Sequence, residues 1–410
     1  MASSVLPCEA MNGLRTAIIL GAGASYCYED GITNLPTQEN IIEQLFFGLD
    51  TTDGEGAPSF VGSSGLKHSF ALGQYIRKKF NLPEDPKKKL SKTDFWPILQ
   101  EKGYTLESLY EEFEHDTAKY DYGRFLIEDF EAIVRTAVTE PNSLREPDKT
   151  CKYHKMLCEV LEPGDFIINF NWDTLMADAL LLNSHFWFPG TGFGVNNVYP
   201  LMRPGQKQHN VASLVQLFHV HGAVCLFEWL NQVSPNKRGL LYLGPQTYTS
   251  MNSFFSLLGF ENDSDINEGK KSREPSDEET RRLTLGYIHF DNQWFKPIFT
   301  PPSRYKKEYR HWYTKIIRSN IHSLLPTTQQ IIIAGYSFPV ADIEHLRSLF
   351  VKEIINPDIR ITVVNPSNKD SSFRQSVKTV FSGIQQEPDY TFGDFREYCN
   401  QLENPLRNDD

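Results

Sequence analysis

The chain has 410 residues, 40% hydrophobic and 23% charged, which supplies a sizeable core and excludes a chain disordered throughout. Its net charge of −11, from 41 basic and 52 acidic side chains, speaks against a surface built mainly to coat nucleic acid. No run reaches the roughly 18 apolar residues of a membrane span, the first residues lack a secretory pattern, and the six cysteines form no CxxC pair, so a cytoplasmic protein with reduced thiols is expected.

The first element is Ala-Ile-Ile-Leu-Gly21-Ala22-Gly23-Ala24-Ser25, a buried strand over Thr16–Leu20 that breaks into a glycine-rich turn. Such turns cradle nucleotide pyrophosphates: glycine lets the backbone come close to an anion, and exposed amides with the Ser25 hydroxyl supply uncharged donors. An ordinary turn with no ligand is the alternative. A dehydrogenase fingerprint is excluded because Tyr26 stands where GxGxxG needs glycine, and no acidic ribose partner ends a second strand about twenty residues on. No GK[ST] follows, which excludes a P-loop.

Further along, Thr37 is placed to cap a helix over Gln38–Phe47 with Glu39 in its first turn. Residues 50–62 are Gly, Ser, Thr and Asp rich, and 62–160 read as a helical insertion. The strand Asp165–Phe170 ends in Asn171-Trp172-Asp173, polar groups at the strand end that faces a ligand crevice in a parallel sheet. Capping of the following helix is the competing explanation for Asn171 and Asp173.

From 184 to 300 the composition shifts to Gly, Pro and aromatics with short apolar runs, a loop and strand subdomain. Within it Val220-His221-Gly222 offers a working imidazole, and His219 two residues earlier leaves a metal pair as a weaker option without cysteine or HExxH support. The polar stretch Glu261–Arg282 reads as a mobile surface loop. Arg304–Trp312 interleaves cations and aromatics, which suits a solvated helix face better than a DNA contact, and a helix is expected from Ser303 to about Leu325.

Two further strands, Gln330–Ala334 and Arg360–Val364, end in Gly335-Tyr336-Ser337-Phe338-Pro339 and in Asn365-Pro366-Ser367, with Asp342 and His345 on the helix after the first. Strand, turn and helix recurring in this way give an α/β fold with a doubly wound, Rossmann-like parallel sheet. The core is expected over 14–50 and 160–385, with 386–410 as a C-terminal segment.

Taken in order, GAGAS, FNWD, HG, GYSFP and VNP over about residues 16–370 make the chain resemble the sirtuin-like superfamily, in its bacterial antiphage branch with NAD-cleaving domains. The resemblance implies a sheet of sirtuin type, with Gly21, Ala22, Gly23 and Ser25 on NAD phosphate and ribose, and Asn171 and Asp173 lining the nicotinamide-ribose pocket. It further implies His221 as the catalytic histidine, Gly335, Tyr336 and Ser337 in the GTS position, and Asn365 on the adenosine ribose. Two CxxC pairs of the deacylases are missing, with only Cys225 where their zinc module follows the HG motif, so no zinc module is expected. Gly31-Ile32-Thr33-Asn34-Leu35-Pro36-Thr37 stands where deacylases carry GIPDFR.

The activity implied is NAD+ glycohydrolysis in antiphage defence, with Asn171 orienting ribose and water, His221 as general base, Asp173 fixing the pocket, and NAD+ as substrate rather than cofactor. Family logic adds a homo-oligomer, a HerA-like hexameric ATPase partner and nucleic acid as a trigger, with 62–160 and Tyr390–Leu402 as assembly surfaces. A noncatalytic NAD or ADP-ribose sensor, a deacylase and a DNA-associated nuclease subunit are the rivals.

Overall fold

The computed structural model describes residues 15–25, 106–117, 150–195, 198–201, 213–229, 239–244, 287–290, 293–299, 311–350 and 356–403, with isolated positions between them. Strand β1 (Arg15–Leu20) carries a continuous apolar run, buried from Ala17 onward, as a strand covered on both faces requires. It leads into the single turn α1 (Ala22–Ser25). Helices α2 (Leu106–Thr117) and α3 (Lys152–Glu159) precede β2 (Phe166–Asn169), whose four residues are all buried. The next helix, α4 (Leu175–Asn183), is apolar around most of its circumference, and Leu175 to Leu180 are buried without a break, as in a helix enclosed by the core.

After α5 (Pro189–Gly192) come β3 (Val198–Leu201), β4 (Gln216–His219), β5 (Gly222–Trp229), β6 (Leu240–Leu243), β7 (Ile288–Phe290) and β8 (Gln293–Phe299). Helix α6 (Trp312–Leu324) returns the chain to β9 (Thr328–Ala334), followed by α7 (Val340–Leu349), β10 (Arg360–Val364), α8 (Ser371–Val380), β11 (Asp389–Phe392) and α9 (Phe395–Glu403). Two sheets result. The first has six strands in the order β11-β10-β9-β1-β2-β4, and every pairing in it is parallel. Numbered by chain position, this is the 3-2-1-4-5-6 order of a doubly wound, Rossmann-like sheet, whose direction reverses between β1 and β9.

Register aligns the strand ends. Leu20 pairs with Asn169 and Ala334, Asn169 with His219, and Ala334 with Val364, so five strands end in one row across the sheet. The turns that leave those ends therefore all open on the same edge.

The second sheet, β3-β6-β5-β8-β7, is antiparallel apart from the parallel β3/β6 pair. It lies within 184–300, as the composition suggests, but that segment also contains β4, which pairs with β2 and belongs to the parallel sheet. The boundary is misplaced because β4 and β5 follow each other so closely in sequence. Only Val220 and His221 separate them, and the chain changes sheets there. Gly222 makes the corner possible: its φ is +74°, and a Cβ on it would collide with the Ile298 carbonyl.

All four expected core strands are present, each within two residues of its expected bounds. Of the 62–160 segment, α2 and α3 are helical, and α3 packs with α9 rather than standing apart: His154 meets Phe395 edge-on at 5.5 Å and Cys399 Sγ donates to the Tyr153 carbonyl at 3.5 Å. Phe395, Tyr398 and Cys399, spaced for one helix face, are all buried, so that face of α9 serves the core, while Tyr390 and Phe392 on β11 are half-buried. The expected helix Gln38–Phe47, residues 50–62, nearly all of Glu261–Arg282 and the basic stretch from Arg304 to Arg310 lie outside the described residues.

Candidate functional site

The glycine turn after β1 and the Gly335 turn after β9 leave adjacent strand ends, and they are stitched together. Gly21 N donates to the Ala334 carbonyl at 3.0 Å and Gly23 N to that of Gly335 at 2.8 Å, while Gly335 N reaches Val364 O at 2.9 Å. A Cβ on Gly21 would lie 2.5 Å from Tyr336 Cα and one on Gly23 would lie 2.8 Å from Gly335 Cα; Gly335 itself sits at φ +65° against the Gly23–Ala24 backbone. These glycines are thus required by turn-on-turn packing. Of the turn residues expected on phosphate, Gly21 and Gly23 have their amides bound to backbone acceptors, and Ala24 N is likewise bound to Gly21 O at 2.9 Å. Ala22 and Gly23 remain exposed at the rim, as does Ser337 on the facing turn.

Beneath the rim runs a buried polar chain. Asn171 Nδ2 donates to the Gly21 carbonyl (2.9 Å) and to Ser25 Oγ (2.8 Å), and Ser25 in turn donates its proton to Asp173 Oδ2 (2.6 Å). The other Asp173 oxygen accepts from Leu175 N at 2.9 Å, at the start of α4. Asp173 thus anchors a helix start with one oxygen, as the capping explanation requires, and reaches across to the turn after β1 with the other. Ser25 differs from expectation, since its hydroxyl proton is committed to a carboxylate rather than pointing to a ligand. Asn171, Asp173 and Ser25 are each less than a tenth exposed.

His221 lies at the corner between the sheets, 6% exposed. Its Nε2 is 3.6 Å from Asp342 Oδ1 on α7, and the second Asp342 oxygen accepts from the Tyr336 hydroxyl at 2.5 Å. The Phe170 ring meets the imidazole edge-on at 5.2 Å and packs on Tyr336 at 4.5 Å, so the ends of β2, β4 and β9 converge on one point. Asn365 ties in the end of β10: Nδ2 donates to the Tyr336 carbonyl (3.0 Å) and Oδ1 accepts from Ser367 N (2.9 Å).

His219 has a separate environment. It is fully enclosed, 3.5 Å from Asn169 Nδ2 through Nδ1 and beside the Phe193 ring, and burial pulls its pKa down from 6.5 to about 4. Asn169 Oδ1 meanwhile accepts from Asn171 N at 3.0 Å. The two histidines belong to different clusters, and among the described residues no group of three His, Cys, Asp or Glu side chains is arranged to hold a metal.

Sequence reasoning noted Asp342 without a role; its partner is visible only once the turn Gly335–Pro339 brings the start of α7 beneath the β4–β5 corner. Asn169, the first of two amides at the end of its buried apolar strand, is legible in the sequence, but its part in holding Asn171 is not. The polar groups that meet here are Ser25, Asn171, Asp173, His221, Tyr336, Asp342 and Asn365, with two carboxylates and no Lys or Arg among them. Such a set can stabilise positive charge, accept a proton and orient a hydroxylated ligand. Compared with protein-family models and with curated proteins, the sequence matches neither.

Proposed function

We propose that the chain is a sirtuin-like NAD+ glycohydrolase that cleaves NAD+ to nicotinamide and ADP-ribose. The observation that carries this reading is the Gly21–Asn171–Ser25–Asp173 chain, which joins two strand ends beside the reversal point of the sheet, where doubly wound folds bind nucleotides. Hydrolysis breaks the bond between ribose C1′ and the nicotinamide nitrogen, and the bonding pair leaves with nicotinamide. The ribose then carries oxocarbenium-like positive charge, which the Asp173 carboxylate stabilises. Asn171 orients the ribose hydroxyls and the attacking water; as the water oxygen bonds C1′, His221 takes its proton and later releases it to solvent. Asn365 and the rim at Ala22, Gly23 and Ser337 hold the adenosine and phosphate end. The resemblance to antiphage proteins supports a place in defence as an oligomer working with a HerA-like ATPase.

Asn171, Ser25 and Asp173 are hydrogen-bonded to one another, which leaves fewer groups to activate water and favours a second reading, a sensor that holds NAD or ADP-ribose without cutting it. Incubation of pure protein with NAD+, alone and with the ATPase, followed by chromatography, separates the two. Nicotinamide with ADP-ribose is expected, and substitution of Asn171 or His221 by alanine should reduce it by about 10²- to 10⁴-fold. No product in either mixture rejects the hydrolase and leaves the sensor.

A further inference from the structure

A carboxylate on α7 faces His221 from outside the strand-end motifs. We propose that Asp342 is a positioning residue for His221, its carboxylate held by the Tyr336 phenol and set against Nε2, so that the imidazole is oriented and its cation stabilised when it takes up a proton. This rests on reading His221 as the base of NAD+ cleavage.

The side chains of His221 and Asp342 are 8% and 5% exposed, so the attraction between them is screened far less than at a surface. A separation of 3.6 Å is within ion-pair range and longer than a hydrogen bond. The carboxylate is itself supported. Tyr336 donates to its far oxygen, Asp342 N donates to the Pro339 carbonyl at 2.8 Å, and its place in the first turn of α7 favours negative charge. Phe170 stands edge-on to the ring, which limits its rotation. In the step served, a water O–H bond breaks as the C1′–O bond forms, the proton passes to the imidazole, and Asp342 stays ionised throughout.

Other titratable side chains lie on the elements that converge here: Asp173 before α4, Asp178 on it, His219 on β4, Cys225 on β5, and Glu344 and His345 on α7. Burial keeps His219 neutral and lifts the Cys225 thiol, so neither changes charge near neutral pH.

Two NMR measurements on the full chain without NAD+ test the pairing. In the wild type, 15N shifts should place the proton of neutral His221 on Nε2, facing Asp342; a proton on Nδ1 overturns the proposal. With 13C-labelled histidines and His221→Gln for assignment, Asp342→Asn should lower the His221 midpoint by roughly 1–2 pH units, whereas Asp342→Glu should remain nearer the wild type. An unmoved midpoint in folded Asp342→Asn overturns it. With NAD+, the acid limb of kcat/KM should move the same way, and kcat should fall about tenfold or more with little change in KM. A midpoint that moves in protein that cleaves no NAD+ supports the pairing and rejects the glycohydrolase. Cleavage with an unmoved midpoint rejects the pairing and keeps the glycohydrolase.

Discussion

Single side chains in this site are held by opposing demands. Ser25 accepts a hydrogen bond from Asn171 and donates one to Asp173, so a ligand that draws the serine hydroxyl away leaves the buried carboxylate short of a partner. That exchange costs about 1–3 kcal/mol unless the ligand supplies a donor to Asp173, which a ribose hydroxyl does. His219 carries the clearest pH signature. Its folded pKa, about 4, lies below the 6.5 of an open chain, so the fold favours the neutral ring. The stabilisation is fully present above pH 6.5 and is lost as pH falls toward about 4, on the order of 3 kcal/mol over that window. Thermal unfolding at steps between pH 7 and pH 4 should show this decline. In His219→Leu the decline should be shallower, and an unchanged slope would show that the burial of His219 does not set it.

At the level of elements, the two-residue link between β4 and β5 is the most constrained. Gly222→Ala has to relieve a clash with the Ile298 backbone and adopt a positive φ, a loss of at least about 1–3 kcal/mol. Because His221 precedes it directly, unfolding temperature and any NAD+ turnover should fall together. Gly190→Ala, which meets nothing within 4 Å, is the control and should leave both unchanged. Elements of this kind also mark how far the sequence could be read. The strands at Thr16–Leu20, Asp165–Phe170, Gln330–Ala334 and Arg360–Val364 were legible because a strand buried on both faces is written as an unbroken apolar run ending in small or polar residues. β4 was assigned to the wrong body because membership of a sheet is a property of pairing, which local composition does not encode. Asn171 and Asp173 were legible for the same reason as the strands. The His221–Asp342 pair was not: its partners are 121 positions apart, joined only through the crossover that places α7.

Across the whole molecule, the far edge of the parallel sheet reaches the site through backbone. Phe392 on β11 accepts from Asn365 N at 3.2 Å, and the Asn368 amide donates to both Tyr390 O and Phe392 O. Behind the strand, α9 buries Phe395, Tyr398 and Cys399. Each such side chain contributes about 1.5–3 kcal/mol, so a chain stopped after Glu387 should lose several kcal/mol and uncover the edge of β10. We expect less soluble protein, a lower unfolding temperature and weaker nucleotide binding by calorimetry. Wild-type binding in the shortened chain would show that the Asn365 turn stands without β11.

The corner at Val220-His221 carries a constraint of a different kind. Side chains alternate along a strand, so a residue gained or lost between His219 and Gly222 that slips β5 by one position against β6 and β8 turns its side chains to the opposite face. Val220 itself can vary among residues of its size, because what the corner fixes is a count. The two-residue link is therefore a constraint of length as well as of identity: an insertion there is expected to carry His221 away from Asp342 while every side chain of the pair is still encoded.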